Sequence, residues 1–136
     1  MTIVGFTGTR YGMTAAQWEA VDRLLGELFA RELHHGDCVG ADADAHAIAK
    51  KRQLRIVIHP PLQEEHRAFC RDADVIAPTK SHFARNRDIV ERAAVLIATP
   101  YESEVQLRGG TWYTVGYARK VGRPVHVVWP DGSVGR

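Results

Sequence analysis

The segment from Gly109 to Thr114 has the residue types of a phosphate-binding helix start. Its residues are Gly109, Gly110, Thr111, Trp112, Tyr113 and Thr114. Glycines let an anion approach the backbone, and the amino end of a helix offers unpaired amides with partial positive charge. Thr111 and Thr114 add hydroxyl donors. Trp112 or Tyr113 is a candidate to stack on a base, although an aromatic residue here more often packs against a sheet. The segment therefore predicts a phosphate site.

A second candidate anion site follows the first apolar run of the chain. Gly8, Thr9 and Arg10 come directly after residues 3–6. Amide groups after a strand can point at an anion, and the Arg10 guanidinium suits bidentate contact with phosphate. The spacing matches neither the Walker A loop, whose lysine is missing, nor the GxGxxG fingerprint. A tight turn with a surface arginine explains these residues equally well, so both interpretations stay open.

Acidic and histidine residues follow a third turn, which contains Gly40. Asp42 and His46 lie four residues apart and would share one face of a helix. Two candidate ligands without a third partner make a weak metal site, so we predict no metal here. We instead expect Asp42 to cap the helix or accept a ribose hydroxyl, and His46 to be a hydrogen-bonded structural residue. Gly40 and Asp42 are thus candidate nucleotide-binding residues.

Two arginines, Arg85 and Arg87, flank Asn86 near the start of a further predicted helix. Positions 85 and 87 point in different directions on a helix. We therefore expect one of the two guanidinium groups to reach the ligand pocket, while the other anchors the helix.

The elements that must position these residues alternate between apolar strands and amphipathic helices. The predicted strands are residues 2–7, 37–39, 55–59, 94–99 and 124–129. The predicted helices are residues 14–33, 42–52, 82–92 and 110–122. Thr14 and Gln17 form a capping-box pattern, and residues 62–81 are expected to form a lid-like connection with a short helix near 64–72. This alternation predicts one α/β domain, Rossmann-like and three-layered, over residues 1–136.

The expected sheet is mainly parallel, with about five strands in the order 3-2-1-4-5. The direction of strand order then reverses between the first and fourth strands. In open α/β sheets ligands bind at this point, outside the carboxyl ends of the strands. The topology thus predicts that Gly8, Thr9 and Arg10 lie beside the segment from Gly109 to Thr111.

The composition is that of an ordinary globular protein, with 45% hydrophobic and 25% charged residues. A net charge of +2 argues against a large non-specific nucleic-acid surface. Cys38 and Cys70 lack the spacing of a zinc site. No signal peptide and no membrane-length apolar run is recognisable, so we expect a cytoplasmic protein without membrane contact.

Four motifs, in order and at compatible spacing, resemble those of the SLOG superfamily, named for the SMF/DprA and LOG proteins. A Gly-Ser-Arg strand end is matched by Gly8, Thr9 and Arg10. A Gly-Ile-Asp-Ala-x-Ala-His segment is matched by Gly40, Asp42, Ala43, Ala45 and His46. A Phe-Pro-x-Arg-Asn-Arg-x-Ile segment is matched in part by Phe83, Arg85, Asn86, Arg87 and Ile89. The last motif is matched by Gly110, Thr111, Thr114, Ala118, Gly122, Arg123 and Val125.

The resemblance implies a stand-alone DprA-like domain that binds a nucleotide or nucleotide-derived, ADP-ribose-like ligand and forms homo-oligomers. It implies no further cofactor. A LOG-like nucleoside monophosphate N-glycosidase is the first alternative. The LOG loop carries a proline where this chain has Arg108 and a glutamate that is absent after Gly109, so Glu102 and Glu104 are the candidate catalytic carboxylates. DprA-like binding of single-stranded nucleic acid is the second alternative, and it predicts a steep salt dependence.

Overall fold

The computed structural model describes residues 1–136 as one seven-stranded sheet with four helices. The strands are β1 Thr2–Gly8, β2 Ala30–His35, β3 Arg55–Ile58, β4 Val75–Ile76, β5 Val95–Thr99, β6 Val125–Val128 and β7 Val134–Gly135. The helices are α1 Ala15–Glu27, α2 Ala41–Lys51, α3 His82–Arg92 and α4 Gly110–Lys120. None of these helices combines the length and the apolar character that crossing a bilayer requires.

The predicted fold class, a Rossmann-like α/β protein with a mainly parallel sheet, is confirmed. The sheet is larger than the five strands expected, and its order is β4-β3-β2-β1-β5-β6-β7. This order differs from the predicted 3-2-1-4-5 because a short strand extends the sheet at each edge. β4 is parallel to β3, whereas β7 is antiparallel to β6. The reversal between β1 and β5 stays at the predicted position.

Two apolar clusters show how the helices cover the sheet. The larger one joins β1, β2 and β3 to α1 and α2, for example through Phe6, Leu33 and Ile48. The other joins β5 and β6 to α4, for example through Leu96 and Val115. In β5, successive residues alternate between the two clusters, with Val95 and Ile97 in the larger one and Leu96 and Ala98 in the other, as the two faces of a pleated sheet require. Both faces are therefore buried, which explains why the strands read as near-continuous apolar runs.

Helix α1 begins where its capping residues predict. The Thr14 hydroxyl accepts the Gln17 amide at 3.0 Å, and the Gln17 side chain accepts the Thr14 amide at 2.9 Å. Gln17 also donates to the carbonyl groups of Pro100 and Val128, at 2.9 and 3.0 Å. Gln17 therefore also connects the helix to the carboxyl ends of β5 and β6.

The predicted end of α1 and the predicted second strand are both wrong. The helix ends at Glu27, and the strand is Ala30–His35 rather than residues 37–39. Phe29, at φ +51°, turns the chain from helix into strand. Leu33 then pairs with Val4 of β1 and with a residue of β3, and it is fully buried. The apolar spacing of α1 continues into this strand, so periodicity alone did not separate the two elements.

The segment between β3 and α3 contains no helix, contrary to the prediction near residues 64–72. It consists of turns and the short strand β4. The buried Asp37 carboxylate fixes this segment by accepting the Arg67 guanidinium at 2.7 Å and the Cys70 amide at 2.8 Å. These tertiary contacts replace the local backbone bonds that a helix would have supplied.

Candidate ligand-binding site

A cavity of about 530 Å³ opens at the carboxyl ends of the central strands. The predicted site residues that line it are Gly8, Thr9, Arg10, Asp42, Arg85, Glu102, Gly109, Gly110, Thr111 and Trp112. The predicted site residues outside its lining are Gly40, Arg87, Glu104, Tyr113 and Thr114. Arg10 and Thr111 line the same cavity, so the turns after β1 and β5 converge there.

The start of α4 presents unpaired amide groups to this cavity. The first backbone hydrogen bond of the helix is donated by the Tyr113 amide to the Gly109 carbonyl, at 2.9 Å. The amides of Gly110, Thr111 and Trp112 therefore lack protein partners, as at any helix start without a capping side chain. A side chain added at Gly110 would meet nothing within 4 Å, so the approach to these amides is open.

The hydroxyl of Thr114 is engaged within α4. It donates to the Gly110 carbonyl at 2.8 Å, and the residue is fully buried. The structure therefore places this predicted phosphate donor one turn below the open amides, where it stabilises the helix start.

The turn after β1 brings a guanidinium to the rim of the cavity. The Thr9 amide donates to the Thr99 carbonyl at 3.0 Å, which fixes the turn to the end of β5. Arg10 is exposed and lies 3.0 Å from His66 and 3.1 Å from the Tyr11 hydroxyl. The hydrogen bond to Tyr11 raises the pKa of Arg10, so this side chain stays cationic. A ligand phosphate at the start of α4 would thus share the cavity with a positive charge.

Arg85 is 5% exposed, and its guanidinium donates hydrogen bonds to other groups of the protein. Its guanidinium donates to the Gly36 carbonyl, to the His59 carbonyl at 3.0 Å and to the Cys38 sulfur at 3.3 Å. These bonds tie the start of α3 to the chain that leaves β2 and β3. Arg85 thus both lines the cavity and anchors its helix.

Arg87 lies outside the cavity, on the side where α3 faces α4. Its side chain donates to the Tyr113 hydroxyl at 2.9 Å. The Tyr113 ring also packs on Phe83, with ring centroids 4.2 Å apart. Arg87 and Tyr113 therefore form a contact between the two helices, and Phe83 also reaches the cavity wall.

Asp42 does not cap α2 with its side chain. The N-cap residue is Gly40, and no side-chain capping bond is present. One carboxylate oxygen of Asp42 accepts the amides of Gly36 and Cys38, at 3.1 and 3.2 Å. Burial raises the pKa of Asp42 to about 6, although the charge of Arg85 acts in the opposite direction. The carboxylate therefore orders the loop after β2 and also lines the cavity.

Trp112 packs mainly in the core, as an aromatic residue at this position was expected to do. It is 7% exposed, and its ring lies 5.8 Å from the ring of Trp129. Its indole N–H donates to Glu102 at 3.0 Å, which places the Glu102 carboxylate at the cavity wall. Glu104 is exposed and lies outside the lining. Of the two glutamates, only Glu102 is positioned to contact a bound ligand.

Several lining residues were not selected from the sequence. They are His66, His82, Phe83, Asn86, Tyr101 and Arg108. Phe83 and Asn86 belong to the matched motif around Arg85. Their place in that motif could have identified them as candidate site residues from the sequence. His66 comes from the segment before β4, for which the sequence predicted a helix. Its position became evident only from the tertiary contacts of that segment.

Three potential metal ligands, His35, His46 and Cys70, have donor atoms within 4.8 Å of one another. The His35 ring accepts the Asp37 amide at 2.9 Å through Nδ1, so its proton lies on Nε2. That proton faces His46 Nδ1 at 2.9 Å, and His46 Nε2 donates to the Arg71 carbonyl at 2.7 Å. A ligating histidine needs a free lone pair toward the metal, which neither ring has here. We therefore interpret the cluster as a structural hydrogen-bond chain that includes His46.

Buried histidines predict a loss of stability in mild acid. Burial lowers the pKa of His35 to about 3 and that of His59 to about 4. Between pH 6.5 and 4 the unfolded chain therefore binds more protons at these rings than the folded chain does, and stability falls as the pH falls. Asp42, whose pKa is raised, acts in the opposite direction. We expect the free energy of unfolding to be about 2 kcal/mol lower at pH 5 than at pH 7.5.

Urea unfolding followed by circular dichroism at these two pH values measures this difference. In an Asp42→Asn variant the opposing carboxylate is absent, so the decrease should be steeper. Equal stability of the unsubstituted protein at both pH values would contradict the assignment of neutral, buried histidines.

Comparisons with solved structures identify the fold that carries this site. The molybdenum cofactor binding protein from the phototrophic bacterium Rippkaea orientalis matches with a TM-score of 0.70 and 22% identity, over 93% of this chain and 76% of that chain. TM1055, a structural genomics target, matches with a TM-score of 0.65 and 17% identity, over 92% of this chain and 72% of that chain. No protein-family model and no curated protein matches the sequence. The chain thus has a Rossmann-like fold that it shares with a cofactor-binding protein.

Proposed function

We propose that this protein binds a nucleotide or nucleotide-derived, ADP-ribose-like ligand in the cavity at the carboxyl edge of its sheet. One observation carries the proposal. The unpaired amides at the start of α4 and the cationic side chain of Arg10 line a single cavity. Its volume of about 530 Å³ lies within the range of about 300–1,000 Å³ typical of small-molecule sites.

The two parts of such a ligand would meet different chemistry in this cavity. The phosphate would accept hydrogen bonds from Gly110 and Thr111, where the helix dipole adds favourable charge. A flat heterocycle would lie against the aromatic wall, to which Phe83 and Tyr101 contribute. Such apolar walls with a few convergent polar groups are typical of ligand sites. The fold shared with a molybdenum cofactor binding protein supports small-molecule binding in general.

A negative charge placed at the start of α4 should weaken phosphate binding without unfolding the protein. In a Gly110→Asp variant the new side chain has room, because nothing lies within 4 Å of its Cβ. An acidic residue in the first turn also stabilises a helix. We therefore expect an unchanged or higher melting temperature and at least a tenfold loss of affinity for nucleoside monophosphates. Isothermal titration calorimetry with AMP and IMP measures the affinity.

The matched control is Gly116→Asp, which adds the same charge six residues further along α4. Gly116 also has no atom within 4 Å of an added Cβ, and it lies outside the cavity. This variant should retain the affinity of the unsubstituted protein. Equal losses in both variants would show a non-specific charge effect, and no binding by the unsubstituted protein would refute the proposed function.

The position of Glu102 favours a second candidate, an N-glycosidase acting on nucleoside monophosphates. Its carboxylate is held at the cavity wall by Trp112 and would stand near a developing oxocarbenium ion. The calorimetry mixtures decide between binding and hydrolysis. Free base and ribose 5-phosphate, detected by chromatography after overnight incubation, would assign the enzymatic function. Intact nucleotide would support binding alone.

A further inference from the structure

We infer that His66 takes up a proton from solvent when a phosphate group of the ligand binds at Arg10, so that a guanidinium and an imidazolium bind the anion together. His66 is thereby assigned as a second phosphate-binding side chain, and its contribution depends on pH. The inference rests on the proposed function, and it names the side chain that would make this binding proton-linked.

In this structure the His66 ring is an uncharged acceptor. Arg10 Nη1 lies 3.0 Å from His66 Nε2. A guanidinium has only donors, so Nε2 must offer its lone pair and the ring proton must lie on Nδ1. A protonated imidazole has no lone pair and would repel Arg10. The contact with Arg10 therefore requires a neutral His66.

The positive charge of Arg10 has no acidic counterpart among its hydrogen-bond partners. Its side chain bonds to the Tyr11 hydroxyl at 3.1 Å and to the His66 ring, and both groups are uncharged. All three residues line the cavity, so a ligand in the cavity can reach this charge. Bonds from arginine to phosphate are charge-assisted and stronger than bonds to neutral acceptors. A phosphate would therefore be a better partner for Arg10 than either neighbour.

A phosphate bound at Arg10 must also lie close to the His66 ring. An oxygen about 2.8 Å from Arg10 Nη1 can be at most about 5.8 Å from His66 Nε2, because the two nitrogens are 3.0 Å apart. An opposite charge within about 4–6 Å favours the protonated form of an imidazole. The same phosphate neutralises Arg10, which otherwise opposes a charge on the ring. Both effects act in one direction, so the bound anion favours proton uptake by His66.

The loop after β2 fixes the two residues beside each other. The Val39 amide donates to the His66 carbonyl at 2.7 Å, and the Ala41 amide donates to the Thr9 carbonyl at 2.9 Å. His66 also has φ +66°, a conformation that residues other than glycine keep only where the surrounding structure holds them. The contact between Arg10 and His66 is therefore supported by backbone bonds on both sides.

Three other titratable groups surround this pair or share its cavity. Glu65 Oε1 lies 3.3 Å from His66 Nε2, but the Glu65 side chain is 80% exposed, so solvent weakens its effect. His82, at the start of α3, has a pKa that burial lowers most, with further lowering by the charges of Arg85 and His66. Asp42 lines the cavity, and burial raises its pKa to about 6. The titration of His82 and Asp42 must therefore be separated from that of His66.

The test uses ADP-ribose, whose charge is constant between pH 6 and 8 because both phosphates lie in a diphosphate bridge. Histidine changes its charge in this range. We expect calorimetric titrations to give at least about fivefold tighter binding at pH 6 than at pH 8. At pH 7.5 binding should be less exothermic in Tris than in HEPES, since the buffer supplies the proton and Tris has the larger ionisation enthalpy.

A His66→Gln variant retains an acceptor for Arg10 but cannot take up a proton. Its affinity for ADP-ribose should therefore change by less than about twofold between the two pH values. The matched controls are His82→Gln and Asp42→Asn, each of which should still bind at least about threefold more tightly at pH 6. Loss of the pH dependence in either control, with its retention in His66→Gln, would overturn the inference.

Nitrogen-15 NMR of the histidine rings identifies the protonated group without any substitution. At pH 7 the addition of ADP-ribose should move the His66 ring from the neutral to the protonated pattern, whereas His82 should stay neutral. Equal affinity at both pH values, or an unchanged His66 ring in the complex, would overturn the inference and leave the proposed function standing. If neither ADP-ribose nor AMP binds, the proposed function fails as well.

Discussion

Replacing Gly40 by alanine is expected to destabilise the protein by at least about 3 kcal/mol. The Cβ of the new residue would lie 2.3 Å from the carbonyl atoms of Arg10 and 2.7 Å from the carbonyl oxygen of Thr9. The backbone at Gly40 also has φ +87°, a conformation that L-residues adopt at a cost of about 1–3 kcal/mol. Because the obstructing atoms belong to the backbone, they cannot move aside as a flexible side chain would.

The measurement is the urea midpoint of the Gly40→Ala variant, with Gly116→Ala as its control. Gly116 lies inside α4, where an added Cβ meets no atom within 4 Å. Alanine there should stabilise the protein by about 0.5–1 kcal/mol, since glycine is the poorer helix former. A Gly40→Ala variant with unchanged stability would show that the turns after β1 and β2 do not make the close contact described.

A variant with methionine in place of Arg85 should also lose about 3 kcal/mol or more of its unfolding free energy. The substitution leaves the carbonyl groups of Gly36 and His59 without their donor, and it removes the cation beside the buried Asp42.

The same substitution at Arg87 isolates the effect of burial. Arg87 is partly exposed and donates to one hydroxyl, that of Tyr113, so its replacement should lower stability much less than the replacement of Arg85 does. Chemical denaturation of both variants measures the difference. Equal losses at the two positions would mean that the bonds of Arg85 to the chain ends of β2 and β3 contribute little.

The local sequence predicted the elements whose ends carry strong signals. The strands β1, β3, β5 and β6 are short apolar runs bounded by glycine, proline or polar residues. The start of α1 was predictable because the side chains of Thr14 and Gln17 accept from each other's backbone amides, three residues apart. The meeting of Arg10 and Thr111 in one cavity followed from a general rule, that parallel strands place their carboxyl ends at one edge of the sheet.

The position of β2 was decided by pairing across the sheet. The apolar residues near the end of α1 and those of β2 form a continuous pattern that fits a longer helix equally well. Hydrophobic spacing reports which residues are buried, whereas the choice between helix and strand here depends on the partners of Leu33 in β1 and β3. Those partners are distant in sequence, so a local pattern contains no information about them.

What the chain determined by itself is therefore the α/β class, the glycine turns and the edge of the sheet at which they meet. What only the tertiary structure decided is the function of each side chain at that edge. Arg85 and Arg87 are indistinguishable as residue types, yet Arg85 reaches a carbonyl 49 residues away while Arg87 bonds a neighbouring helix. The same guanidinium also donates through Nε to the side-chain oxygen of the adjacent Asn86. Side-chain roles were not predictable because they depend on which distant backbone groups need a partner once the sheet has formed.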